Sequence, residues 1–156
     1  MRAVAKLLLL SVVTGLCVLG WSAQPGNGGA AAADAKPTIR VTRVYSGNDG
    51  QSHAEEAELK LSTPNALGME QSEALKAAST NFVRFPPNFL EDWHCAHARR
   101  YVITLTGRGE AEIGGGQKVP MEPGSVVLFE DMTGKGHISR ALTADWTAVF
   151  VQLDQK

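Results

Sequence analysis

Residues 94–137 read HCAHARRYVITLTGRGEAEIGGGQKVPMEPGSVVLFEDMTGKGH, and the patterning of this stretch decides the fold. Runs of branched and aromatic residues, YVITLT at 101–106 and SVVLFE at 125–130, are closed within a few positions by Gly, Pro or Asp. That punctuation marks short strands joined by turns. The triple glycine at 114–116 predicts a tight hairpin between a strand ending at Ile113 and one opening at Gln117, because glycine reaches positive φ without steric cost. No helix pattern follows to aim backbone amides at an anion, so a phosphate cradle is the weaker reading of these glycines.

The same spacing continues on both sides. TIRVTRVYSG at 38–47 alternates Ile39, Val41, Arg43 and Tyr45 against Thr38, Arg40, Thr42 and Val44, and the NDG turn signal follows. EAELKLST at 56–63 alternates again, with Ala57, Leu59 and Leu61 on one side. TNFVRF at 80–85, HISRAL at 137–142 and WTAVFVQL at 146–153 complete the series. Residues 69–79, MEQSEALKAAS, contain good helix formers but no clear apolar stripe, so helix and loop both stay open. Many short strands without intervening helices exclude a βαβ sheet and predict an all-β, antiparallel barrel or sandwich over residues 38–154, long enough for one domain and one core.

The first 37 residues read differently. MRAVAK supplies two positive charges, LLLLSVVTGLCVLGW an apolar run, and small residues follow, the three-part pattern of a secretory signal over residues 1–23. The alternative is an uncleaved membrane anchor, for which the run is short against the roughly 20 residues a span requires. Leu16 is too large to precede a lipidated cysteine, which weighs against a lipoprotein. Residues 24–37, rich in Gly, Ala and Pro, have no face to bury and read as a linker. The expected location is periplasmic or secreted.

Without the signal, thirteen basic residues face sixteen acidic ones, a formal charge of −3. Weak negative charge without a basic stripe argues against nucleic acid as a partner. Cys17 leaves with the signal, so Cys95 has no disulfide partner and reads as a small packed residue rather than a nucleophile.

The stretch from His94 to Gly107 resembles the first conserved motif of the cupins, and Pro123 to His137 resembles the second. The likeness extends to GQSHAEE at 50–56 and to small single-domain bacterial cupins, covering Gly50 to about Leu153. It implies a jelly-roll barrel with histidines at its mouth and, in many members, a divalent transition metal. The motif is altered here. His94 and Gly107 stand at expected positions and His137 follows after two extra residues, but Ala96 replaces the second histidine, Arg100 the glutamate and Glu130 a proline.

These departures set two functional readings against each other. Histidines separated by one residue share a strand face, whereas His94 and His97 are separated by two, so a regular strand turns them apart and only a bulge brings both to one ion. Arg100 donates no lone pair and stays cationic. The first reading is an exported barrel that binds a small acidic molecule through His94, Arg100 and His137, with Glu130 rather than Asp131 facing the mouth and Asp131 organising the turn. The second is a metal-dependent isomerase, lyase or oxygenase using His94 and His137 with His97 or Glu130. A purely structural homodimer module is third. His53 reads either as a further mouth residue or as a surface histidine. Trp93 and Trp146 read as packing, and Phe89 and Leu90 are candidates to cap the opening.

Overall fold

The computed structural model describes residues 38–154, so the signal, its cleavage and the linker at 1–37 lie outside the described residues. Among the described residues ten strands form two sheets. They are β1 (Arg40–Ser46), β2 (Ser52–Glu58), β3 (Ala77–Arg84), β4 (Leu90–His94), β5 (Arg100–Thr106), β6 (Gly109–Glu112), β7 (Lys118–Met121), β8 (Val126–Glu130), β9 (His137–Ala141) and β10 (Thr147–Leu153). The larger sheet has the order β2-β1-β8-β5-β10-β3 and the smaller β4-β9-β6-β7. The described fold is all-β, with the two sheets facing each other across one core. Its pairings are antiparallel except for β1 beside β8, which runs parallel with Thr42 opposite Val127.

The inner faces of the sheets close on one core. Val44, Val102, Val127, Phe129 and Ala148 from the larger sheet meet Ala111, Val119 and Met121 from the smaller, together with Ile113 and Trp146 from the turns. Trp146 stacks on Phe85 with ring centroids 3.7 Å apart and planes 12° off parallel. A second, smaller cluster of Val41, Leu128 and Leu153 lies on the outer face of the larger sheet. Strand β8 therefore buries apolar residues on both sides, which is why VVLF shows no alternation.

Two local expectations shift. The second strand begins at Ser52 and ends at Glu58 rather than spanning 56–63, because the β1–β2 turn closes with Gly47 N–H donating to the Gln51 carbonyl at 2.7 Å and pairing with β1 starts directly after it. Beyond Glu58, only an isolated bridge joins Leu61 to Ser72. Residues 69–79 form no helix; their last three open β3, which pairs with β10. With no apolar stripe, a helix there would bury nothing. The triple glycine makes the expected tight connection, with Ile113 N–H donating to the Gln117 carbonyl at 3.0 Å and with Gly115 at φ 70° and Gly116 at φ 77°.

Candidate functional site

A cavity of about 160 Å³ opens between the two sheets. Arg100, Val102, Phe129 and Phe150 enter it from the larger sheet, and Glu91, His94, Met121, His137 and Ser139 from the smaller. Phe85, Phe89 and Trp146, from the segments between strands, complete an aromatic wall. Phe89 packs on Phe85 at 4.9 Å, whereas Leu90, the other capping candidate, is exposed.

Strand pairing brings the two histidines together. His94 closes β4, His137 opens β9, and the two are direct cross-strand partners. Facing residues on antiparallel strands project to the same side, and the ring centroids lie 4.3 Å apart. The turn before His137 makes this approach possible. Gly136 sits at φ 72°, and a Cβ there would collide with the carbonyl oxygen of His94.

His137 is held from behind. Its Nδ1 lies 2.6 Å from Oδ2 of Asp131, and the same oxygen accepts from Ser52 Oγ at 3.0 Å. Asp131 and His137 are buried. An Nδ1–H donating to a carboxylate fixes the tautomer and leaves Nε2 with its lone pair. His94 donates Nδ1–H to the Asp92 carbonyl at 2.8 Å, and its Nε2 lies 3.3 Å from Glu91. Burial lowers the pKa of His94; the Asp92 carbonyl and Glu91 oppose the shift, while His137 and Arg100 reinforce it.

Among the described residues, Arg100 is the cavity guanidinium that makes no ion pair. Its guanidinium lies 4.7 Å from the centroid of the Phe150 ring, and its Nε is buried without a hydrogen-bond partner. Burial lowers its pKa, while Glu91 and Asp131 act on it only through space in the opposite direction. A guanidinium stays cationic under such shifts.

Of the residues expected at the mouth, His94, Arg100 and His137 line the cavity together and Glu130 does not. Glu130 turns to the outer face, where Arg43 Nε donates to it at 2.5 Å and Arg99 Nε donates to its other oxygen. Asp131, expected to organise the turn, points inward instead. The cause is alternation: Val127 and Phe129 belong to the inner core and Leu128 to the outer cluster, so residue 130 faces out and 131 faces in. His97 also lines the cavity, although it is exposed, because β4 ends at His94 and residues 95–99 leave strand geometry. His53 bonds Asp49 at 3.0 Å on the surface. Trp93 lies beneath Lys135 at 3.6 Å, and Cys95 donates to the Gly134 carbonyl.

The residues do not fit the divalent metal that the resemblance to cupins implies. Among the described residues no three His, Cys, Asp or Glu side chains group so as to hold an ion. His94, His97 and His137 therefore line one cavity without grouping closely enough to hold an ion together, and Glu130 is outside the cavity altogether. The group nearest to replacing the missing ligand is a guanidinium, which repels a cation. Sequence reasoning also missed Asp131, Ser52, Glu91 and Phe150. Only Asp131 carried a signal, its even spacing from the core residue Phe129.

No family model matches the sequence, and no curated protein matches it. Among solved structures, the chain is similar to a crystal structure described as an ethanolamine utilization protein Q from Salmonella typhimurium LT2, with 9% identity and a TM-score of 0.38 over 76% of this chain and 98% of that chain.

Proposed function

We propose that the inter-sheet cavity binds a small carboxylate with an apolar body, held through Arg100 with His94 and His137 beside it. The observation that carries this reading is the Arg100 guanidinium, which faces the cavity with a buried Nε that no protein group satisfies. Withdrawing a cation from water without a paired acid is unfavourable. A ligand carboxylate relieves that cost, because its two oxygens match the guanidinium fork. Phe85, Trp146 and Phe150 offer planar apolar contact to the rest of the molecule.

The test uses wild-type protein treated with EDTA and three ligands of similar shape: benzoate, benzamide and benzylamine. Isothermal titration is expected to detect benzoate alone, with one site per chain. Equal binding of benzamide, or a preference for benzylamine, overturns the reading.

The same proposal extends to location. The charged, apolar and small-residue order of residues 1–23 supports export, so the barrel works outside the cytoplasm.

A further inference from the structure

A buried acid–imidazole pair asks for an explanation that packing does not supply. Replacing such a pair by apolar residues is often neutral or stabilising, yet here Asp131, fully buried, is held by Ser52 and His137 with its Oδ1 left without a partner. Both residues are fully buried, and His137 lines the ligand cavity with Asp131 behind it. The Asp131 carboxylate fixes the imidazole with Nε2 unprotonated and compensates the charge that forms when Nε2 takes up a proton. His94, 4.3 Å away, is the nearest other imidazole. Around His137 the charged or titratable groups are Asp131 behind it, His94 beside it, and Arg100, Glu91 and His97 along the cavity.

We infer that His137 is a catalytic base for proton transfer at carbon, acting on a small 2-oxo acid whose carboxylate is anchored by Arg100. This inference rests on the anion-binding reading above and adds a reaction to it. The C3–H bond of the 2-oxo acid breaks and its proton passes to Nε2 of His137. The electron pair of that bond forms the C2=C3 double bond, and the carbonyl π pair moves to oxygen, giving an enolate beside the Arg100 cation. The proton on Nε2 exchanges with solvent, and transfer of a solvent-derived proton from Nε2 to C3 regenerates the keto acid, so the cycle consumes no oxidant, reductant or second substrate. Asp131 and Ser52 are positioning residues: they act through His137 and do not touch the ligand.

The experiment follows the C3 hydrogens of 2-oxobutyrate and phenylpyruvate by NMR in D2O, with EDTA-treated full-length protein and a buffer blank. Wild type is expected to accelerate exchange above the blank with saturation in substrate. His137→Gln lowers the saturated rate by about a hundredfold or more, the usual size of a lost general base, with substrate affinity changed less than threefold. Asp131→Asn lowers kcat and leaves KM near wild type, a split that a general loss of structure does not produce. If Asp131→Asn fails to fold, Ser52→Ala provides the same test with a smaller fall in kcat. Saturable binding of the 2-oxo acid with exchange no faster than the blank overturns the proton-transfer inference and leaves the binding reading intact. Binding of no carboxylate at all overturns both. Exchange that is unchanged in His137→Gln assigns the base to another residue and also overturns the inference.

Discussion

At the scale of single residues, one step along β8 separates a surface ion pair from a buried site. Glu130 carries hydrogen bonds from Arg43 and Arg99, and although burial raises its pKa, these bonds hold it below the ordinary value of 4.5. A depressed carboxylate contributes stability in full above its unfolded pKa and loses that contribution as the pH falls through the folded value. Glu130→Gln is therefore expected to cost about 1–2 kcal/mol in urea denaturation at pH 7, to cost much less near pH 3, and to leave ligand affinity unchanged. A loss of carboxylate binding in this variant would return Glu130 to the mouth. His94 has the opposite charge logic. Its lowered pKa means that the folded, ligand-free protein resists protonation, so stability falls as the pH drops below 6.5, where the unfolded chain takes up the proton. A bound anion favours the imidazolium. Calorimetry at pH 7.5 and 5.5, with a ligand ionised at both, is expected to show tighter binding at pH 5.5, and His94→Asn to flatten that dependence. Weaker binding of the fully ionised ligand at the lower pH would contradict an anion-selective mouth. The inward turn of Asp131 was hidden in the sequence because VVLF is apolar on both faces, so period two had no polar phase to reveal it.

At the scale of elements, the β4–β9 pair makes the site. The cross-strand partnership of His94 and His137 depends on a turn in which a side chain at residue 136 has no room. Gly136→Ala combines a positive-φ penalty with a backbone collision and is expected to cost about 2 kcal/mol or more. In this variant the histidine ring signals in NMR should lose their mutual proximity while the outlying strands stay folded. Unchanged histidine signals would show that the turn does not set their distance. Both histidines were visible in the sequence, and the family likeness supplied their approximate positions. Strand β4 was not defined there, since LEDWH has no alternation of its own. Its end at His94 frees residues 95–99 from strand geometry, so the regular strand that would turn His97 from His94 is not present there, and His97 reaches the cavity while staying exposed.

At the scale of the whole molecule, Gly and Pro punctuation marked most strands and the absence of α-helix among the described residues, because turn chemistry is local. Sheet order was not legible. The parallel contact of β1 with β8 and the meeting of β4 with β9 join residues far apart in the chain, and nothing near either strand encodes its neighbour. The cavity is a product of that order, since Arg100 comes from one sheet and His137 from the other. Export remains a reading of residues 1–23. Mass spectrometry of the native protein is expected to find a first residue between 23 and 34, and an intact apolar segment in the membrane fraction would replace export by anchoring. The central claim is that an unpaired guanidinium between the sheets selects an anion. Its most direct test is calorimetric titration of benzoate into metal-free wild type and Arg100→Met, a variant that keeps the length of the side chain and removes its charge. Loss of a charge-assisted bidentate contact is predicted to weaken binding by roughly tenfold to a hundredfold, or about 1.5–3 kcal/mol; equal affinity in the two proteins would contradict the account.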